Sequence, residues 1–291
     1  RKCYLKMTKR CSSHKDLAKL SADAFMTGSD QVWGPMMNGF YDSAYFLQFA
    51  QNNVRKLAYA TSFGKTKFDA STVADYKKML ASYDKIAVRE KSAVEMLDEW
   101  GLENCVGQVL DPTLLLDKSE WMNLIVKKND FGKYKGKNYI LVYQIHNDPK
   151  LSDYAKRLSK HFGMELVRVN PMFHQILRGG KFICCPDLSE FLSLIANASC
   201  IVTDSFHGTC FSINFGKQFI EILPNNATGT RNQSILELTG LSDRILCDFN
   251  DYSLVDKVID YGKVNELLEV ERKKSLEVIR SMIQNSSFIK Q

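Results

Sequence analysis

The heptapeptide Thr203-Asp204-Ser205-Phe206-His207-Gly208-Thr209 joins the apolar run Cys200–Thr203 directly to a segment with helical spacing. Either Asp204 or Ser205 can cap that helix. Amide groups at a helix start, reinforced by the helix dipole, attract anions. Gly208 would let a ligand come close to the backbone. His207 would stand beside the bound anion, where an imidazole can move a proton near neutral pH. The bland alternative is a capped strand–helix turn with a histidine packed beneath it.

Other strand ends carry polar groups too. Gln144-Ile145-His146-Asn147-Asp148 follows the run Tyr139–Tyr143, and His146 is a second acid–base candidate or a loop histidine bonded to backbone. In Gly28-Ser29-Asp30-Gln31-Val32-Trp33, the residues Ser29, Asp30 and Gln31 suit sugar hydroxyls and Trp33 suits a sugar face. Equally, Ser29 and Asp30 can cap a turn while Trp33 fills the core. Arg89 in Arg89-Glu90 can grip a phosphate or carboxylate bidentately, or pair locally. Asp111-Pro112-Thr113 reads as a turn first and a cleft residue second. Arg231 is expected just before a helix at about 233–239, and Arg244 at the surface. Arg178-Gly179-Gly180-Lys181 is a small basic glycine loop, too short to be called a phosphate loop.

These positions recur because short apolar runs alternate with amphipathic helices along the chain. Strands are expected at 24–28, 56–63, 85–88, 106–110, 139–143, 165–169, 200–203 and 218–222. Ser119 is the expected cap of the helix carrying Trp121, and Asp187 of the helix carrying Phe191. Such alternation argues for parallel sheets covered on both faces. The fold class is therefore α/β: two doubly wound Rossmann-like domains facing a cleft, GT-B-like, with a long C-terminal helix. The polar stretch Phe131–Asn138 (FGKYKGKN) reads as a linker. The expected division is 1–130, 138–262 and a helical 263–291. Ligands of such sheets bind beyond the carboxyl ends of the strands, which places the reaction centre in the cleft.

Composition narrows the class. The chain has 291 residues, 45% hydrophobic and 25% charged, as in ordinary globular domains, and its length favours two of them. The net charge of +6 is spread among acids, which argues against a nucleic-acid stripe. The eight cysteines include no Cys-x-x-Cys pair, so a reducing, cytoplasmic setting and no structural metal are expected. No apolar run reaches the length of a membrane span.

Gly28-Ser29-Asp30-Gln31-Val32-Trp33, Val88-Arg89-Glu90, Leu110-Asp111-Pro112-Thr113 and Thr203–Thr209 together resemble the ordered motifs of the polysaccharide pyruvyl transferase family, over about residues 22–246. The resemblance implies a GT-B-like fold and transfer of a pyruvyl group from phosphoenolpyruvate to two sugar hydroxyls. The product would be a ketal on a cell-surface polysaccharide or its lipid-linked precursor. His207 matches the family's catalytic histidine; His146, a candidate from its own place at a strand end, is the expected acid–base partner for that chemistry. Thr203, Asp204, Ser205, Gly208 and Thr209 then fall on the donor side, with Arg231 or Arg89 for the carboxylate. Ser29, Asp30, Gln31, Trp33 and Asp111 fall on the acceptor side. No cofactor beyond phosphoenolpyruvate as co-substrate, and no metal, is implied. Better-characterised members carry Arg-x-His where this chain has Ser205-Phe206-His207, and usually begin with a further strand and glycine-containing loop. A lipid-linked acceptor would bring the protein to the inner membrane face, although the sequence shows no anchor. A nucleotide-sugar glycosyltransferase and a non-catalytic sugar-binding relative are the alternatives.

Overall fold

The computed structural model describes residues 6–35, 41–126, 133–224 and 229–284. The chain divides into two compact units. The first runs to Val109 and resumes at Glu277; the second is Leu110–Leu276.

In the first unit, a short helix α1 (His14–Leu17) precedes β1 (Ala24–Thr27), β2 (Arg55–Thr61), β3 (Lys85–Val88) and β4 (Cys105–Gln108). The four strands pair in parallel in the order β1-β2-β3-β4. Helices α2 (Ala70–Leu80) and α3 (Lys91–Glu99) connect them. Asp69 caps α2 by accepting from the Thr72 amide at 2.9 Å. The core is aromatic: Trp33, Phe46, Phe63, Tyr76 and Trp100 pack together with Ile86, Val88 and Leu97.

The second unit begins with α4 (Pro112–Leu115) and α5 (Lys118–Val126). It continues with β5 (Tyr139–Tyr143), α6 (Pro149–Phe162), β6 (Glu165–Asn170), a 3-10 turn at Phe173–Arg178, β7 (Lys181–Cys184), α7 (Leu188–Asn197), β8 (Cys200–Thr203), α8 (Phe206–Asn214), β9 (Phe219–Glu221) and α9 (Gly229–Leu238). Helix α10 (Tyr261–Gln284) follows and carries the chain back to the first unit. All five strands are parallel, in the order β7-β6-β5-β8-β9. Alternate residues of β5 feed opposite faces. Tyr139 and Leu141 join one core, with Leu192, Ile213 and Phe215; Ile140 and Val142 join the other, with Leu151, Tyr154 and Leu158. This is the double winding that the alternating sequence implied.

Several expectations are corrected. The boundary lies near residue 110 rather than 130, because Leu110 and Leu114 pack into the second unit's core. Of the expected linker, Phe131 and Gly132 lie outside the described residues. The remainder is tied down: Tyr134 is buried and donates to Glu190 at 2.8 Å, beside the Lys133–Glu190 pair at 2.6 Å. Asp117, not Ser119, caps α5, accepting from the Glu120 amide at 2.9 Å. The edge strand β7 had no sequence signal, since KFIC is only four residues between Gly179-Gly180 and Cys185-Pro186. Arg244 is 1% exposed rather than at the surface. It donates to the carbonyls of Phe219, Leu254 and Lys257, tying β9 to the segment before α10.

Candidate active site

The second sheet reverses its direction of growth between β5 and β8, which are neighbours although α6, β6, the 3-10 turn, β7 and α7 separate them in the chain. In open α/β sheets such a switch point leaves a crevice at the strands' carboxyl ends. Two loops meet there, Gln144–Asp148 after β5 and Asp204–Ser205 after β8.

Asp204 joins them. Its side chain is 2% exposed and accepts from the amides of Ile145 at 2.7 Å and His146 at 3.0 Å. The same carboxylate lies 3.4 Å from His146 Nδ1. Thr203 reinforces the junction: its hydroxyl donates to Tyr143 O at 2.7 Å and accepts from the Ser205 amide at 3.0 Å. A recess of about 280 Å³ opens beside this junction, lined by His146, Asn147, Asp148, Asp204, Ile222, Leu223 and Pro224. Its size suits a small ligand, at the lower end of ordinary ligand sites.

Ser205 caps α8, accepting from the Gly208 amide at 3.3 Å. His207 therefore sits in the first turn of α8, with its side chain 36% exposed. Its Nε2 lies 4.0 Å from Asp111 Oδ2. Asp111 is itself fixed: it is 2% exposed and its other oxygen takes the Thr113 amide at 3.0 Å and hydroxyl at 2.8 Å. Pro112 at the first position of α4 suits that cap, since its missing amide would have no helical partner. Both histidines thus face a buried carboxylate that the backbone holds in place.

Glu221, at the end of β9, is a buried acid behind the first turns of α8 that sequence reading did not single out. It is fully buried and accepts from Asn232 Nδ2 at 2.6 Å. The Thr209 hydroxyl lies 2.5 Å from Glu221 Oε2 and 3.0 Å from Ser205 O. A hydroxyl has one proton and cannot donate to two acceptors. A protonated Glu221 resolves this by donating to Thr209, which then donates to Ser205 O. Burial raises the Glu221 pKa to about 8, with the Asp204 charge adding and the Thr209 and Asn232 bonds opposing. The signal was a lone acid in the apolar run Gln218–Ile222, where a carboxylate is costly unless neutralised.

The sequence profile of the polysaccharide pyruvyl transferase family matches residues 1–226. The chain belongs to that family. No curated protein matches it significantly. Among solved structures it is similar to a putative UDP-N-acetylglucosamine 2-epimerase from Listeria monocytogenes. The TM-score is 0.57 and the identity 14%, covering 94% of this chain and 77% of that one. The Methanocaldococcus jannaschii UDP-GlcNAc 2-epimerase, solved with UDP-GlcNAc and UDP, gives a TM-score of 0.57 at 15% identity, covering 93% and 78%. The Rickettsia bellii UDP-N-acetylglucosamine 2-epimerase gives 0.53 at 16%, covering 95% and 78%. At these identities the likeness shows the fold, which is GT-B-like.

The other expected site residues sort clearly. His146, Asp204, His207 and Asp111 lie in the second unit, the last of them against His207. Thr203, Ser205 and Thr209 are buried with hydroxyls engaged inside the fold, so they shape the site rather than line it. Gly208 is also corrected. A Cβ there would lie 2.3 Å from Thr203 Oγ1 and 3.0 Å from Tyr143 Cδ1, so the glycine admits β5 and β8, not a ligand. Arg231 lies within the first turn of α9 instead of before it. Ser29, Asp30, Gln31 and Arg89 belong to the first unit. Arg89 is an ion-pair partner, its side chain 0% exposed and bound to Asp30 at 2.9 Å and Glu90 at 3.3 Å. It holds the exposed Asp30 at the strand ends rather than offering itself to an anion. Trp33 is 0% exposed, its indole donating to Tyr45 O at 3.2 Å and its ring stacked on Phe46, so no sugar reaches its face.

Proposed function

We propose that this family member transfers the pyruvyl group of phosphoenolpyruvate to two hydroxyls of a glycan or lipid-linked saccharide. The observation that carries the reading is His207 on the first turn of α8, held against the buried Asp111 carboxylate.

The chemistry needs one proton delivered to the donor's methylene carbon and two removed from hydroxyls. Protonation makes the adjacent carbon electrophilic, and the first hydroxyl adds there. Phosphate departs, the second hydroxyl closes the ketal, and the remaining hydroxyl proton leaves with phosphate. His207 is the proposed proton donor, and Asp111 keeps its ring in place. His146, fixed through Asp204, is the proposed proton acceptor. Ser29, Asp30 and Gln31 are the proposed acceptor-side contacts. None of these steps calls for a metal or a further cofactor. No helix among the described residues is long and apolar enough to cross a membrane.

The test is phosphate release and ketal formation from phosphoenolpyruvate. His207→Gln should reduce turnover by about 10²- to 10⁴-fold, the usual weight of a positioned acid–base group. Asp111→Asn should give a smaller loss with little change in KM. Wild-type turnover in His207→Gln would remove the assignment. Turnover of UDP-sugars in place of phosphoenolpyruvate would move the protein to glycosyl transfer.

A further inference from the structure

The loop Arg178-Gly179-Gly180-Lys181 is not used by the reading above, yet the structure gives its arginine an unusual setting. Arg168, in β6 between the edge strand β7 and the central β5, is 0% exposed. Its Nη1 donates to Gln144 Oε1 at 3.2 Å and its Nε reaches Gly179 O at 3.5 Å, but Nη2 meets no acceptor among the described residues. No carboxylate pairs with it there. Burial disfavours the Arg168 charge, and the like charge of its neighbour Arg178 disfavours it further.

Arg178 has no acidic partner among the described residues either. Its guanidinium donates to Asn147 Oδ1 and reaches Ser152 Oγ at 3.5 Å. Ser152 and Arg168 share the same Gln144 oxygen, so the two arginines are joined through one buried polar network. Asn147 also lines the recess beside His146. The recess carboxylates are already engaged: Asp204 by two amides, and Asp148 by the Lys150 amide at 2.9 Å. From Pro171 to Pro186 the chain contains no acid at all. Proteins keep buried charge only when something compensates it, and the buried Arg168 with the half-buried Arg178 beside it, both without a carboxylate partner among the described residues, call for an anion.

We propose that Arg178, backed by Arg168, is an anion-binding element that holds an oxyanion group of the substrate at the mouth of the recess beside His146. The planar fork of Arg178 suits a phosphate or carboxylate, and Asn147 presets its direction. Arg168 supplies fixed positive potential from within the sheet. This assignment deepens the pyruvyl-transfer reading and rests on it for the identity of the substrate.

The experiment is calorimetric titration of the purified chain with inorganic phosphate and with phosphoenolpyruvate at constant ionic strength. Arg178→Gln should weaken both by about 10- to 100-fold, the range for hydrogen bonds to a charged group. Arg178→Lys, a point charge without the fork, should fall between the two. Arg168→Gln, checked for folding by circular dichroism, should also weaken phosphate although it is too deep to touch it. Unchanged affinity in Arg178→Gln, or no binding of either anion by the wild type, would overturn the proposal. The two readings separate cleanly. Arg178-dependent phosphate binding without ketal formation sinks pyruvyl transfer and keeps the site. Ketal formation with unaltered donor affinity in Arg178→Gln does the reverse.

Discussion

Replacing Glu221 by glutamine tests whether a buried acid is held neutral behind the α8 turn that carries His207. In Glu221→Gln the new amide can reproduce both contacts of a protonated glutamic acid, accepting from Asn232 and donating to Thr209. The sign follows from proton binding. An unfolded glutamate ionises near 4.5, while the folded one is pushed up to about 8. Between those values the native state binds the extra proton, so wild-type stability falls as pH rises through this window. Below 4.5 both states are protonated and the contribution is complete. Glutamine does not titrate, so the variant lacks this loss. At about 1.4 kcal/mol per pH unit, the variant should gain roughly 3 to 4 kcal/mol on the wild type between about pH 5 and pH 8. Urea unfolding of both proteins across that range measures the gap. A gap independent of pH, or one that widens on acidification, would show that Glu221 is ionised in the folded protein and refute the reasoning.

Two further substitutions follow from the same junction. Gly208→Ala should destabilise by about 1–3 kcal/mol through overpacking against Thr203 and Tyr143, although alanine ordinarily improves a helix by about 1 kcal/mol; thermal unfolding decides the sign. Asp204→Asn replaces a carboxylate that accepts from the Ile145 and His146 amides, so about 1.5–3 kcal/mol should be lost. Its turnover should fall together with its stability, whereas turnover retained at wild-type level in the folded variant would detach Asp204 from the site.

Much of the fold was legible because parallel strands buried on both faces must be apolar throughout. Tyr139–Tyr143 and Cys200–Thr203 announce themselves in that way, and the helices between them by their periodicity. The edge strand Lys181–Cys184 was not legible, since it is short and only half-buried. The limits of the units were not legible either. A boundary is set by which core a segment joins, and the sequence of Leu110–Leu116 does not say that it packs against α8 rather than β4.

For the site, residue types alone determined that His207 and His146 follow strand ends and that a capping residue precedes His207. They also offered pairs of readings that sequence could not separate. Trp33 at a strand end fits a sugar platform or a core plug, and only three-dimensional packing against Phe46, Phe63 and Tyr83 made it a plug. Gly208 fits a ligand approach or a strand approach, and the position of Thr203 decided. Partners distant in sequence were beyond reach: Asp111 comes 96 residues before His207, yet its carboxylate lies 4.0 Å away. The protonation of Glu221 and the paired arginines of β6 and the following turn belong to the same class. Residue types determine which groups can carry charge, but burial and the company of other charges decide whether they do, and those exist only once the chain is folded.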